Sequence, residues 1–201
     1  MKIATEIRHE IESMPAGEPF LVSRFLPLGK RSSIDQAVSR LTKEGVILRV
    51  SRGVYVRPKP SRLFGQSLPP TEKIIRAVAQ AHGETVEIHG AEAERRFGLS
   101  TQTMMKPVYL TSGPTRKVRI GKLQVELRHA CSRKLAFAGR REGQALLALL
   151  SRGKEGVGEG EIELVRKQLS TEEFNRLASA HGIVPGWLSA KMNKGRTTRH
   201  V

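Results

Sequence analysis

The sequence predicts an α+β fold made of two parts, and three observations support this prediction. Apolar residues recur at a helical spacing from Ile3 to Met14. A short hairpin pattern with three arginines, ILRVSRGVYVRP, occupies residues 47–58. Helix and strand patterns then alternate from residue 71 onward, behind a segment rich in Pro, Ser and Gly. The predicted parts are a winged helix-turn-helix over residues 1–60, a linker over 61–70 and a larger mixed α/β C-terminal domain over 71–201.

The chain begins with a predicted amphipathic helix. Its apolar residues from Ile3 to Met14 lie three or four positions apart and so share one face. The segment PAGEP at 15–19 ends the helix. Residues FLV at 20–22 then fit a short strand, which a brief helical turn over 23–26 follows.

A second helix is predicted from a capping-box pattern, with Ser33 as N-cap and Gln36 three residues later. Gly45 is its predicted end. Winding this segment at about 100° per residue puts Ile34 and Leu41 on an inner, apolar face. The opposite face carries hydrogen-bonding and basic side chains, which suit DNA base edges and phosphates. This outer face consists of Ser32, Gln36, Ser39, Arg40 and Lys43.

The three arginines of the hairpin are predicted to point away from the fold. If residues 51–53 form a three-residue loop with Gly53 in the left-handed conformation, Val50 pairs with Val54 and Leu48 with Val56 on the core side. The outer face then carries Arg49 opposite Tyr55 and Ile47 opposite Arg57, and Arg52 projects from the tip. A basic wing beside a polar helix is typical of proteins that place the helix in the major groove.

The helix and the wing together predict a binding site for double-stranded DNA. Arg31, Arg49 and Arg52 would contact phosphates, whereas Gln36, Ser39, Arg40 and Lys43 would contact bases. Two alternatives stay open: the charged faces are only solvated, or the winged helix binds another protein. The predicted DNA-binding residues are Arg31, Ser32, Gln36, Ser39, Arg40, Lys43, Arg49, Arg52 and Arg57.

The charge balance also favours a polyanionic partner. The chain has 35 Lys and Arg against 19 Asp and Glu, a formal net charge of +16. Such a charge attracts nucleic acid over a distance. Association with a ribosome or a membrane surface, or solubility alone, are the alternative explanations. The lack of an apolar leader or a run of 18 apolar residues predicts a cytoplasmic protein with no membrane partner.

The sequence gives little support to catalysis. It holds a single cysteine, Cys131, and a single aspartate, Asp35, and its six histidines show no metal-binding spacing. A metal-dependent nuclease would therefore depend on glutamates alone, such as Glu126 with Glu87. His129 and Cys131 share a face if they lie on a strand, but no third partner is evident. We expect no enzyme activity, no catalytic residues, no metal and no cofactor.

The C-terminal part carries a second basic patch. The segment RKVRIGKLQVEL at 116–127 fits a hairpin with a two-residue turn at Gly121, and the remainder of the chain is mainly helical. The patch would contact DNA beside the wing's site or RNA, or be an ordinary solvated face. It consists of Arg116, Lys117, Arg119 and Lys122.

Two stretches of the sequence are informative together: AVSRLTKEGVILRVSRGVYVRP at 37–58 and GAEAERRFGLSTQTMMKPVYLTSGPTRKVRIG at 90–121. They resemble the AbiEi-like antitoxins of type IV, abortive-infection toxin–antitoxin systems. The resemblance covers about residues 1–150, and the final fifty residues show no matching motif. It implies a winged helix that binds repeats, expected to be inverted, in its own promoter, and represses its own operon. It also implies a C-terminal antitoxin domain that counteracts a nucleotidyltransferase-like toxin without a necessary stable complex. The alternative is an RNA-associated or enzymatic counteragent that acts through the second basic patch.

Overall fold

A computed structural model describes residues 2–61 and 65–194. The chain divides into two units, one of residues 1–84 with 118–124 and the other of residues 85–117 with 125–201. Helices and strands occur in both, so the predicted α+β class is confirmed. None of the described helices is long and apolar enough to cross a lipid bilayer.

Over its described residues, the first unit combines three α-helices with a three-stranded antiparallel sheet in the order β1-β3-β2 and a separate two-stranded hairpin. The predicted first helix, first strand and hairpin are confirmed. In chain order its elements are α1 (Lys2–Ser13), β1 (Pro19–Leu21), a 3₁₀ helix (Val22–Leu28), α2 (Arg31–Lys43), β2 (Leu48–Ser51), β3 (Val54–Val56), β4 (Lys59–Ser61), β5 (Gly65–Ser67) and α3 (Thr71–Ala81).

The core of the first unit lies between α1, α2 and the 3₁₀ helix. Ile7, Ile11 and Ile34 are fully buried there, and Phe25 packs edge-on against Phe20 with ring centroids 5.8 Å apart. Each such apolar side chain stabilises the fold by about 1.5–3 kcal/mol. This packing fixes which face of α2 points outward.

The predicted start of α2 is wrong, whereas its predicted end is confirmed. The helix begins at Arg31, and its N-cap residue, Lys30, makes no side-chain capping bond. Ser33 lies inside the first turn, where its amide donates to the Lys30 carbonyl at 3.0 Å. At the other end Gly45 has a φ of 74°, the left-handed conformation that closes a helix.

The β2–β3 hairpin differs from the prediction at two of its four pairs. Leu48 pairs with Val56 and Arg49 with Tyr55 as predicted, but Val54 pairs with Ser51 across a bulge. Gly53, with a φ of 73°, provides the expected left-handed turn residue. Ile47 is fully buried and belongs to the core, so its predicted outward position is wrong.

The predicted linker contains regular structure. β4 and β5 pair antiparallel, with Lys59 opposite Ser67 and Ser61 opposite Gly65. Pro60 within β4 cannot donate a backbone hydrogen bond, which is why the sequence pattern disfavoured a strand here. The division between the two units falls after Glu84, so α3 groups with the first unit. Contacts of α3 with the β1-β3-β2 sheet account for this grouping.

The chain after Glu84 builds a four-stranded sheet in the order β6-β7-β9-β8, followed by helices. β6 and β7 are antiparallel, whereas β7 and β9 are parallel. Helices α4 and α6 approach each other closely at Gly90. A side chain would not fit there, since a Cβ atom at Gly90 would lie 2.6 Å from the Cβ of Ser151. The elements are β6 (Val86–Ile88), α4 (Gly90–Arg96), β7 (Val108–Thr111), β8 (Arg116–Ile120), β9 (Leu123–His129), α5 (Ser132–Leu135), α6 (Arg141–Gly156), α7 (Glu159–Gln168), α8 (Thr171–Ala178) and α9 (Gly186–Lys194).

Candidate nucleic-acid interface

An open cleft of about 630 Å³ lies in the first unit between α2 and the β2–β3 hairpin. Side chains of α2 form one wall and those of the hairpin form the other. Five of the nine residues predicted to bind DNA line this cleft. They are Arg31, Ser39, Lys43, Arg49 and Arg52.

The wall from α2 follows directly from helix geometry. Arg31, Asp35, Ser39 and Lys43 are four residues apart and therefore lie along one side of the helix. The buried residues of α2, such as Ile34, hold the opposite side against the core. The polar ridge consequently faces the cleft along the whole length of α2.

Two other predicted residues lie on the flank of α2 that is next to α1. Gln36 and Arg40 line a second groove, of about 620 Å³, together with Ile3 and Thr5 of α1. Ser32 is exposed on the outer face of the helix. The predicted base-contacting residues are thus divided between two grooves that flank one helix.

The hairpin wall is held in place by its buried side. Val50, Val54 and Val56 are at most 3% exposed, which fixes the outward direction of the alternate residues. Tyr55 stacks on Phe20 with ring centroids 6.3 Å apart. Arg49, opposite Tyr55 in the ladder, is exposed as predicted.

Three cations of this cleft have no partner among the described residues. Among the described residues, Lys43, Arg49 and Arg52 form no ion pair and no hydrogen bond through their side chains. Arg31 pairs with Asp35 at 3.0 Å, but both side chains are more than half exposed. Such a pair is worth only about 0.3–0.5 kcal/mol, so a phosphate can replace the carboxylate at little cost.

Two arginines of the first unit that lie outside the cleft are paired with carboxylates. Arg8 contacts Glu44, and Arg24 lies 2.6 Å from Glu10. Neither of these two arginines is therefore as available to an external anion as the unpaired cations of the cleft.

Arg57 does not point outward from the hairpin, although the sequence predicted that it would. Its Nη2 donates to the Met14 carbonyl at 2.5 Å, and the side chain is half-buried. The Gly17 amide donates to the Arg57 carbonyl at 2.7 Å, so the loop after α1 lies against this residue. Two of the three hairpin arginines, not three, remain directed at solvent.

The second basic patch lies on β8 and the turn that follows it. Lys117, Arg119 and Lys122 are exposed, whereas Val118 between the first two is buried. Arg119 donates through Nε to the Gly121 carbonyl at 3.2 Å. Arg116 is half-buried and donates to the Pro114 carbonyl at 3.3 Å. The alternation predicted for this strand is confirmed.

The glutamates considered for nuclease chemistry have structural partners. Glu126 accepts from Arg128 at 2.8 Å, and this guanidinium lowers the pKa of the Glu126 carboxyl. Glu87 is buried and accepts from the amides of Ile88 and Gly139 at 2.8 and 2.6 Å. Within residues 2–61 and 65–194, no three His, Cys, Asp or Glu residues lie close enough together to hold a metal ion.

His129 and Cys131 do not form the strand pair considered from the sequence. His129 ends β9, and its Nδ1 lies 3.0 Å from the Gly113 carbonyl. Cys131 is instead the N-cap residue of α5, and it is exposed. The pKa of the Cys131 thiol is lowered mainly by a hydrogen bond from the amide of Lys134.

His82 is a titratable residue of the cleft that the sequence did not predict. This residue follows α3 and lines the same cleft as Arg49 and Arg52. No local pattern could place it there, because the predicted boundaries assigned α3 to the other domain. Its position depends on how α3 packs against the sheet.

Comparison with protein-family models gives one match over residues 6–177, to DUF6088, described as a family of unknown function. Comparisons with curated proteins and with solved structures find no match. The description of the matching family names no activity, ligand or partner. The geometry of the cleft is therefore the main guide to function.

Proposed function

The chain belongs to the DUF6088 family, and we propose that its first unit binds double-stranded DNA as a winged helix-turn-helix. In this proposal α2 enters the major groove and the β2–β3 hairpin is the wing. The observation that supports it most is the convergence of Lys43, Arg49 and Arg52, from two separate elements, on one cleft in which none of the three forms an ion pair with a described residue.

The dimensions of α2 suit a major groove. Its 13 residues span about 20 Å, and the groove is about 12 Å wide, which admits a single helix. Gln36, Ser39, Arg40 and Lys43 on the outer side of α2 would contact base edges. Arg31, Arg49 and Arg52 beside it would bind phosphates and set the register.

The resemblance to AbiEi-like antitoxins supports a biological role for this binding. We propose that the DNA bound is the protein's own promoter, with repeats as the site, and that binding represses a toxin–antitoxin operon. The C-terminal domain would counteract a nucleotidyltransferase-like toxin. The net charge of +16 assists the binding of DNA by attracting nucleic acid.

A second candidate function is an RNA-associated counteragent that acts through the second basic patch. Lys117, Arg119 and Lys122 are exposed and, in the part of the chain that the structure describes, pair with no carboxylate. An exposed cationic strand can bind the RNA backbone as well as DNA.

The test of DNA binding is titration of a labelled upstream region of the protein's own gene, and of scrambled DNA of equal length, across a salt series. The wild-type protein is expected to prefer its own upstream region at every salt concentration. Equal binding to both DNAs that disappears together with salt would contradict sequence-specific binding.

Arg52→Ala tests the wing directly. This variant is expected to bind more weakly and to reduce the salt slope by about one unit, because one phosphate contact is lost. Lys167→Ala is the matched control: it removes one charge from an exposed position of α7 and should leave affinity and slope unchanged. Indistinguishable behaviour of the two variants would exclude the wing from the binding site.

A further inference from the structure

The cleft has a third wall that the proposed DNA contacts do not use. Ala81 and His82, at the C-terminal end of α3, line it together with the arginines of the hairpin. His82 is exposed, and its side chain forms no hydrogen bond or ion pair with any described residue. A histidine with a free ring therefore lies beside cations that also lack partners.

The position of His82 is held by the way α3 ends. Gly83 has a φ of 65°, its amide donates to the Gln80 carbonyl at 3.1 Å, and the Glu84 amide donates to the Ala79 carbonyl at 2.9 Å. These are the two hydrogen bonds of a Schellman motif. His82 is the capping residue inside this motif, so its backbone is fixed relative to the cleft wall.

The surroundings of His82 are mainly cationic. The cleft holds one carboxylate, that of Asp35, and it pairs with Arg31. The other titratable or charged groups that line the cleft are Lys43 of α2, Arg49 of β2, Arg52 of the turn and Tyr55 of β3. On its own segment, Glu84 follows His82 two residues later. A protonated imidazole gains a counter-charge here when an anion enters the cleft.

The helix dipole of α3 also favours a positive charge at His82. The C-terminal end of a helix carries a partial negative charge, which repels a phosphate and attracts a cation. An imidazolium at His82 would offset that repulsion and donate an N–H to the phosphate. Neutral His82 would leave the C-terminal end of α3 as a wall that repels phosphate, beside the cations of the other two walls.

We propose that His82 is a phosphate-binding residue of the DNA site and that it takes up a proton when DNA binds. The inference rests on the proposed DNA-binding function. Because the complex then holds more protons than the free protein, the affinity for DNA is expected to rise as pH falls through the range in which imidazoles titrate, from about pH 8 to about pH 6.

The experiment measures the affinity of the full chain for its own upstream DNA at about pH 6, 7 and 8, at constant ionic strength. Wild-type affinity is expected to rise roughly threefold to tenfold towards the acidic end. His82→Gln, which can donate a hydrogen bond but cannot become charged, should match the wild type at about pH 8 and lose the rise. His9→Gln changes an exposed histidine of α1 outside this cleft and should keep the rise.

Calorimetry of the same binding reaction in two buffers of different ionisation enthalpy provides an independent count of the protons taken up. The wild type should take up a larger fraction of a proton than His82→Gln. An affinity that does not change with pH, or a His82→Gln variant with the wild-type pH dependence, would overturn the proposal.

The titration of Arg52→Ala with DNA distinguishes a failure of the His82 proposal from a failure of the proposed DNA-binding function. If Arg52→Ala weakens binding and His82→Gln has no effect at any pH, the wing binds DNA and only the role of His82 is refuted. If the wild-type protein shows no preference for its own upstream DNA, both proposals fail.

Discussion

Single side chains decide how much of the positive charge can reach DNA. Arg52 and Arg57 lie five residues apart on the same hairpin pattern, yet one is exposed at the turn and the other donates to the Met14 carbonyl. The alternation of strand residues cannot distinguish them, since it says nothing about the loop that packs beside Arg57. A count of arginines therefore overestimates the number of phosphate contacts.

His89 shows how burial of one residue links stability to pH. Its Nδ1 accepts from the Ala91 amide at 3.3 Å and caps α4, which requires a neutral ring. Burial, and then the nearby Arg128 and Lys134, lower the pKa of His89. The unfolded chain therefore binds this proton more readily, and the contribution to stability that is present above about pH 6.5 is lost as pH falls through and below that value.

We predict that His89→Asn flattens the pH dependence of stability. Asparagine can still accept a hydrogen bond at the helix start but does not titrate. Urea unfolding followed by circular dichroism at several pH values between about 5 and 7 measures the effect. His181→Asn, an exposed histidine, is the control. A wild-type slope in His89→Asn would assign the pH dependence to other groups.

At the level of elements, two helices begin with the same sequence pattern and differ in structure. Ser170 Oγ accepts from the Glu173 amide at 3.2 Å, and Glu173 Oε2 accepts from the Ser170 amide at 2.8 Å, so α8 has a capping box. Ser33 and Gln36 match the same pattern, but α2 starts at Arg31. The hydroxyl of Ser33, inside the first turn, cannot act as an N-cap.

These two serines are therefore expected to respond differently to removal of the hydroxyl. Ser170→Ala should lower the free energy of unfolding by about 1 kcal/mol, because an amide of α8 loses its acceptor. Ser33→Ala should change it by less than about 0.5 kcal/mol, since alanine is the better helix former. The denaturant midpoints of the two variants measure these changes. A larger loss of unfolding free energy in Ser33→Ala than in Ser170→Ala would show that Ser33 does cap α2.

At the level of the whole molecule, two groups of neighbouring unpaired cations are considered for function, those of the cleft in the first unit and those of the second basic patch. The first is formed by α2 and the wing, the second by a strand and its turn. If the first binds the promoter and the second serves antitoxicity, the two activities are separable by substitution.

Charge reversal of the second basic patch at its exposed residues, Lys117→Glu, Arg119→Glu and Lys122→Glu, tests this separation. The triple variant should lose rescue of cells from the toxin and keep the preference for its own promoter over scrambled DNA. Arg52→Ala should show the opposite behaviour when protein and toxin are expressed from unrelated promoters. Full rescue by the triple variant, with native circular dichroism, would refute the role of this patch in antitoxicity.

The sequence alone determined the elements whose signals are local. The helical spacing of Ile7 and Ile11 predicted α1, and the alternation around Val118 predicted an outward row of cations on β8. Gly45 was predicted to end α2 and Gly53 to be left-handed, and both have positive φ. Backbone preferences and side-chain period act over a few residues, and they are therefore present in any short window of sequence.

Only the tertiary structure decided which of these elements share a surface. It placed Arg57 against the loop after α1, joined α3 to the first unit and brought His82 to the cleft of Arg49 and Arg52. Each of these results depends on contacts between residues that are far apart in the chain. Such contacts form because burial of apolar area and pairing of polar groups are optimised over the whole unit, which no local pattern records.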